Sequence, residues 1–244
     1  MDNVVVTGAS RGLGLAIAER LAREGFRVAA VARRNSEALA QTAATLAERG
    51  AGELMFCPLD LSDVAAIPAF VRELRHQIGP IYGLVNNAGL GSAGVLATMA
   101  DADIEALIRL NTLSPILMSK YVVRGMVAQG RGRVINISSI VASSGFNGLS
   151  VYGATKASLV GFTKSLAREV GRVDVTVNAI APGFVDTEMT GGIDGADRER
   201  IIARSALRRL AEPKDVAEMA ALLMGEGGRN ITGAVLTIDS GSTA

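Results

Sequence analysis

The sequence is short of the residues that several chemistries require. Its 244 residues hold one cysteine, Cys57, and one histidine, His76. A lone cysteine forms no intrachain disulfide, and the two residues together fall short of the usual His/Cys zinc sites. A serine hydrolase would have to run on His76, which lies in the polar stretch LRHQIG with no nucleophile-elbow motif near it. Tryptophan is absent and aromatic residues make up 4%, so there is no stacking platform for nucleic-acid bases. Lys and Arg number 25 against 24 Asp and Glu, and the formal charge of +1 gives no global basic field for nucleic acid. No apolar run approaches a membrane span, and the residues after Met1 carry neither a basic n-region nor an apolar h-region. These absences predict a cytoplasmic chain with no nucleic-acid partner, no membrane partner and no metal.

What is present is apolar and rhythmic. Apolar residues make up 49%, with 28 glycines. Short β-branched runs at Val4–Val6, Arg27–Ala32, Glu53–Cys57, Ile81–Val85, Arg133–Ser138, Val173–Ile180 and Ala234–Ile238 read as strands. Between them Leu13–Glu24, Ser36–Arg49, Val64–Gln77, Ala102–Gln129, Val151–Val170 and Asp215–Met224 read as helices. Nearly all-apolar strands joined by helices predict an α/β fold: a three-layer αβα Rossmann-type domain with a seven-stranded parallel sheet. There is no linker and no composition break, so residues 1–244 read as one domain. Phe184–Leu210, rich in Gly, Asp and Arg, interrupts the rhythm and reads as a mobile loop or helical insert over a ligand site. Cys57 reads as a small core hydrophobe and His76 as a surface residue near a helix end.

The first strand runs into TGASRGLG, Thr7–Gly14. Glycines at 8, 12 and 14, after a strand and opening a helix, are the setting of a dinucleotide fingerprint. The turn keeps bulk away from the pyrophosphate, and the positive end of the helix holds its charge. The second strand ends Ala-Val-Ala-Arg-Arg, with Ala32 where an acid would accept from a ribose 2′-hydroxyl. Arg33 and Arg34 follow, and Arg11 lies inside the glycine turn. Arginine forks match phosphate oxygens, so the missing acid and these cations predict NADP(H) rather than NAD.

The fifth strand ends NISS, and thirteen residues after Ser139 stands Tyr152, followed by Lys156 in YGATK. Residues i and i+4 share a helix face, which puts the ammonium beside the phenol. A nearby cation favours the phenolate. Bringing a tyrosine from ~10 to near 7 takes about 4 kcal/mol, which Lys156 and the positive ring of an oxidised nicotinamide are expected to supply.

On these motifs the chain resembles the short-chain dehydrogenase/reductase superfamily over essentially its whole length. They are TGASRGLG, Asp60 in PLDLS, NNAG at Asn86–Gly89, Asn111 in RLNTLSP, Ser139, the YxxxK pair and Pro182-Gly183 in IAPGFVDTEM. The resemblance implies that Tyr152 donates or accepts the proton and Ser139 bonds the substrate oxygen. It implies that Lys156 lowers the tyrosine pKa and holds the nicotinamide ribose, and that Asn111 supports a helix kink and a water linking Lys156 to solvent. Gly8, Ser10, Arg11, Gly12, Leu13 and Gly14 would line the pyrophosphate turn, and Arg33 and Arg34 the 2′-phosphate. Asp60 and Leu61 would meet the adenine, and Asn87, Ala88 and Gly89 the adenosine side. Pro182, Gly183, Val185 and Thr187 would meet the carboxamide and pyrophosphate. Ser138 is set aside, because strand alternation sends it to the other face.

GFTKSLAREV, VNAIAPGFVDTEM and the ITG..L..D.G close are similar to bacterial 3-oxoacyl-(acyl-carrier-protein) reductases and acetoacetyl-CoA reductases. That similarity implies a β-ketoacyl thioester substrate and acyl carrier protein as a partner, with fatty-acid biosynthesis as the setting. Arg131, Arg133, Arg168 and Arg172 are candidates for a basic rim at the cleft mouth, or are ordinary solvated charges. Phe184, Met189, Ile193, Ile201 and Ile202 are candidates to close over an acyl chain. A broad NADP-dependent carbonyl reductase acting on free ketones or sugars remains open. Small and apolar residues on more than one side of Val151–Val170, together with the resemblance, imply a homotetramer built from paired helices and last strands.

Overall fold

The structure, a computed structural model, describes residues 1–91, 93–185 and 195–244. Seven strands form one parallel sheet: β1 (Asn3–Thr7), β2 (Arg27–Ala32), β3 (Glu53–Pro58), β4 (Ile81–Asn86), β5 (Gly132–Ile137), β6 (Val175–Pro182) and β7 (Val235–Ile238). Their order is β3-β2-β1-β4-β5-β6-β7. It reverses between β1 and β4, and ligands of such sheets bind beyond the carboxyl ends of the strands at that reversal.

Helices cover both faces. On one lie α1 (Gly12–Arg23), α2 (Glu37–Glu48) and α8 (Pro213–Met224), on the other α3 (Ile67–Ile78), α5 (Ser114–Gln129) and α6 (Ser150–Val170). Strand alternation feeds the two cores. Val4 and Val6 of β1 pack with Ile17, Leu21 and Leu223, whereas Val5 packs with Val71, Leu74 and Met118. Local chemistry sets the helix starts. Ser36 Oγ caps α2 by accepting from Leu39 N at 3.1 Å, and Glu212 and Asp215 form a capping box on α8. The segment expected as Val64–Gln77 becomes helical only at Ile67, with Pro68 in its first turn, where a missing N–H costs nothing.

The expected helix Ala102–Gln129 is divided. α4 (Asp101–Ile108) and α5 are joined by a π turn, Arg109–Leu113, with Asn111 buried inside it. Pro115 has no N–H to offer the Asn111 carbonyl four residues back, so the regular ladder fails here. The remaining strands and helices lie within a few residues of their expected bounds. Among the described residues of Phe184–Leu210 there is one helix, α7 (Gly195–Arg204). Among the residues expected to close over a chain, Met189 and Ile193 lie outside the described residues.

Candidate active site

The site is assembled where β1, β4, β5 and β6 end. Gly8 turns the chain with φ +68°, and a Cβ there would stand 2.8 Å from Ala88 Cα. At Gly14 a Cβ would stand 2.2 Å from the Gly8 carbonyl oxygen. Helix α1 can therefore start this close to the strand only with glycine at both places. Its first turn holds no acid, and Arg11 at its N-cap makes no capping bond, so the early N–H groups suit an anion. Ser36 Oγ donates to the Ser10 carbonyl, and Gly8 N donates to Val31 O at 2.8 Å. These bonds set the turn that carries Arg11 beside the end of β2, where Arg33 and Arg34 are exposed. Ala32 is buried there, and no side-chain carboxylate stands in its place.

Asp60 accepts from Ser62 N at 2.9 Å and Ser62 Oγ at 2.6 Å, which together hold its carboxyl below the usual range, with Arg33 adding a weaker pull. Leu61 beside it is buried. Asn87 ties β4 to the glycine turn: its Nδ2 donates to Thr7 O at 2.9 Å and Gly8 O at 3.2 Å. Asn87 N and Ala88 N both donate to Thr7 Oγ1 at 3.0 Å. The glycine turn, the β2 end and the NNAG segment thus form one cradle that fits a dinucleotide.

The catalytic candidates converge beyond β5. Asn111 accepts from Leu90 N at 2.8 Å and donates to Leu90 O at 2.9 Å and to Thr155 Oγ1 at 3.2 Å. Gly89 is wedged between Asn111 and Lys156: a Cβ there would lie 3.2 Å from Asn111 Oδ1 and 3.5 Å from Lys156 Nζ. Lys156 is buried, its Nζ donating to Ile137 O at 2.9 Å and standing 5.7 Å from the centre of the Tyr152 ring. Ser139 Oγ donates to Pro182 O at 3.5 Å and lies near enough to the Tyr152 phenol to pull its pKa down. Ser138 does point elsewhere, donating to Lys156 O at 2.9 Å and so fixing the helix turn that carries the lysine.

Burial dominates the ionisation of this group in the chain by itself. Burial pushes Tyr152 above the ordinary phenol value, with the Ser139 bond pulling back, and burial pushes Lys156 down to about 8. The helix spacing delivers the pair, but in the chain by itself both groups lean toward their neutral forms. A phenol kept protonated at neutral pH suits a proton donor.

Beyond Pro182, Gly183 N donates to Ile238 O at 2.9 Å, and a Cβ on Gly183 would meet Asp239 Cβ at 2.6 Å. Val185 is buried and bridges to Ala211. Thr187 lies outside the described residues. The rim expected of Arg131, Arg133, Arg168 and Arg172 is not at this mouth. Arg131 and Arg133 flank the start of β5 and Arg168 and Arg172 the end of α6, so within one chain all four stand at the opposite edge of the sheet. Arg133 is buried besides, donating to Gly132 O at 2.9 Å.

Sequence reasoning missed the polar floor under the site. Asn86 Nδ2 donates to Ser119 Oγ at 2.9 Å and Asn136 Oδ1 at 2.8 Å, and Asn136 Nδ2 donates to Thr163 Oγ1 at 2.8 Å. Asparagines near the ends of two otherwise apolar strands were the available signal, since they face each other in register. Phe146 was also missed; it meets Phe184 edge to face at 6.0 Å.

Residues 2–197 match the short chain dehydrogenase family. The chain is 38% identical over 239 residues to the 3-oxoacyl-(acyl-carrier-protein) reductase FabG of Pseudomonas aeruginosa, covering 97% of this chain and 95% of the relative. It is 38% identical over 236 residues to carbonyl reductase family member 4 of Xenopus laevis, with the same coverage. A short-chain dehydrogenase from Burkholderia cenocepacia, solved in complex with NADP, superposes with a TM-score of 0.92 at 33% identity, covering 100% of this chain and 98% of that one. The chain belongs to the short-chain dehydrogenase family. It is an oxidoreductase of FabG-like type, working between CH–OH and C=O groups.

Proposed function

We propose that this protein uses NADPH to reduce a 3-oxoacyl thioester to the 3-hydroxyacyl thioester, with Tyr152 as proton donor. The observation that carries the chemistry is the convergence of Ser139, Tyr152 and Lys156 on one spot beside the dinucleotide cradle. NADPH, when bound, supplies the hydride. The phenol of Tyr152, held protonated by burial, gives its proton to the carbonyl oxygen as the alkoxide develops. Ser139 donates a hydrogen bond to the same oxygen and orients Tyr152. Lys156 is the residue to hold the nicotinamide ribose, and Asn111 steadies the loop beside it. Arg11, Arg33 and Arg34 grip the 2′-phosphate, with no acid at Ala32 to repel it.

The fatty-acid reading draws on relatives whose names specify carrier-protein thioesters. Assembly bears on it. The outer face of α6 exposes Ser150, Ala154, Ala157, Gly161, Ser165 and Arg168, a stripe small enough for close helix packing. Beside it an apolar groove of about 460 Å³ includes Leu96, Ile104 and Ile108. We read these as the helix interface of a homotetramer, whose last strands pair along the open edge of β7. Antiparallel pairing of α6 would carry Arg168 and Arg172 of one copy toward Ser150 of another, restoring a basic rim between chains. A reducing compartment, the cytoplasm, suits the buried free thiol Cys57. Light scattering tests the assembly, and a monomer mass at micromolar concentration refutes it.

A carbonyl reductase for free small ketones is the second reading. It is favoured by the Xenopus relative and by a single-chain mouth without the expected arginines. The test compares kcat/KM for an acyl-carrier thioester, a coenzyme A thioester and a free β-ketoester at low and high salt. The primary reading expects thioesters ahead of the ester, with the carrier's advantage shrinking in salt. A free ketone preferred over both overturns it.

A further inference from the structure

A second concave site lies away from the reaction, between the length of α3 and the middle of α5. Because α3 ends just before β4 begins, this groove opens at the amino edge of the sheet, opposite Ser139 and Tyr152. Its cavity is about 420 Å³, within the ~300–1,000 Å³ range of small-molecule sites. Arg72, Arg75 and His76 reach it from α3 and Arg124 from α5, and its lining includes no aspartate or glutamate. Lys120 stands beside it, 5.3 Å from the Tyr121 ring. Pro68, Val71 and Tyr121 make an apolar floor.

The three arginines lack acidic partners in a chain that has nearly one acid for every base. The formal charge is +1 overall, and some arginines elsewhere pair with acids, as Arg20 does with Glu218 at 2.7 Å and Arg27 with Glu53 at 2.7 Å. Among the described residues Arg72, Arg75 and Arg124 make no ion pair and no hydrogen bond. Arg124 lies over the Tyr121 ring at 5.4 Å, a contact that leaves its N–H groups unbonded. Three guanidinium groups of like charge around one cavity repel each other, and an anion between them removes that cost. The apolar floor adds a place for an organic body, which bare phosphate does not have.

We infer that this groove binds a small organic phosphate, its phosphoryl group held by Arg72, Arg75 and Arg124 and its flat apolar part on Tyr121 and Pro68. The source of the phosphate ester, whether a free nucleotide or the phosphate-bearing end of a larger cofactor, is left to competition by each. The site is separate from the dinucleotide cradle, so it stands or falls independently of the proposed reaction. Helix α5 connects it to the π turn holding Asn111, ten residues or about 15 Å from Tyr121 along the axis.

The experiment is calorimetric titration of phenyl phosphate, inorganic phosphate and phenol into the full chain, with and without saturating NADPH. The inference expects saturable one-to-one binding of phenyl phosphate that NADPH does not displace, with phosphate and phenol each weaker. Arg75→Ala/Arg124→Ala should weaken phenyl phosphate by about tenfold or more. Arg72→Ala, at an exposed position, gives an independent arm and should weaken it several-fold while leaving ketone reduction unchanged. Binding that NADPH abolishes, binding indifferent to all three arginines, or no binding overturns the inference. So does a drop in assembly mass on removing the arginines, which would make the groove a contact between copies.

Discussion

At the amino ends of the strands Arg27 pairs with Glu53, Arg131 pairs with Asp2, and Arg131 and Arg133 lie over the Tyr82 ring at 5.0 and 5.5 Å. At the carboxyl ends of β1, β4 and β5 the work is done by Thr7, Asn86, Asn87, Asn111, Asn136 and Ser138, uncharged side chains bonded to backbone or to each other. Lys156 is the buried cation among them. The ion pairs at the first edge, Arg27 with Glu53 and Arg131 with Asp2, are partly solvated and contribute little each, while Arg133 is buried. At the second, neutral donors and acceptors fix the backbone without screening the field that a reacting carbonyl will feel, so one ammonium and one phenol dominate it. The contrast separates an edge that tolerates change from an edge that does not.

The largest effect should come from the reacting edge. Tyr152→Phe is expected to lower kcat by about 10³-fold, within the range for losing a positioned acid, while NADPH affinity measured by fluorescence titration stays nearly unchanged. A variant retaining a tenth of the activity would remove Tyr152 from its role. Because the reduction needs the phenol protonated, and burial holds its pKa above the ordinary value, kcat for reduction should stay high through neutral pH and fall only on the alkaline side.

Lys156 tests whether the edge is built for stability or for chemistry. Its pKa is pushed from 10.5 to about 8 by burial. The unfolded chain therefore binds more protons than the folded one between those values, and wild-type stability should rise with pH across that window. Below it the cost of the buried charge is present in full. Lys156→Met should abolish reduction yet stabilise the chain at pH 7 by about 2 kcal/mol, after allowing for the lost bond to Ile137 O. Denaturant titrations from pH 7 to ~8.5 check this, staying below the range where Cys57, pushed up to about 11, and Tyr82 and Tyr152, both raised, add the opposite slope. A less stable variant with flat pH dependence would show that the lysine is structural.

Cofactor choice lies farther from the reacting carbonyl. NADPH should bind at least tenfold more tightly than NADH, about 1.4 kcal/mol, and Arg33→Ala should weaken NADPH far more than NADH. Equal affinities in the parent chain would discard the reading of Ala32, Arg33 and Arg34.

Much of this was legible in the sequence because it is local. Glycine spacing, the i and i+4 pair of Tyr152 and Lys156, and the alternation that separates Ser138 from Ser139 each depend on a few neighbouring residues. The seven strands were legible because nearly every position in them is apolar. What was hidden is long-range. That Asn86 and Asn136 meet depends on β4 lying beside β5, and the pKa of Tyr152 depends on how deeply α6 is buried. The arginine rim failed for the same reason: chain positions near the site's motifs say nothing about which end of a strand or helix they occupy. Arg131 and Arg133 are only a few residues from Ser139, yet they flank the start of β5 and Ser139 follows its end.

The smallest effect belongs to the amino edge. Arg131 is half exposed, its pairing with Asp2 is open to water, and its stacking on Tyr82 is shared with Arg133. An exposed ion pair contributes ~0–1 kcal/mol and a surface cation–π contact about as much. Salt screens the first but not the packing of the arginine stem. Arg131→Met, which keeps much of that stem, should therefore change unfolding free energy by less than about 1 kcal/mol, and the difference should shrink further at high salt. Urea unfolding of both chains at two ionic strengths measures it. A loss as large as the Lys156→Met gain, undiminished by salt, would mean that this edge too carries a charge the fold depends on, and the division between the two edges would not hold.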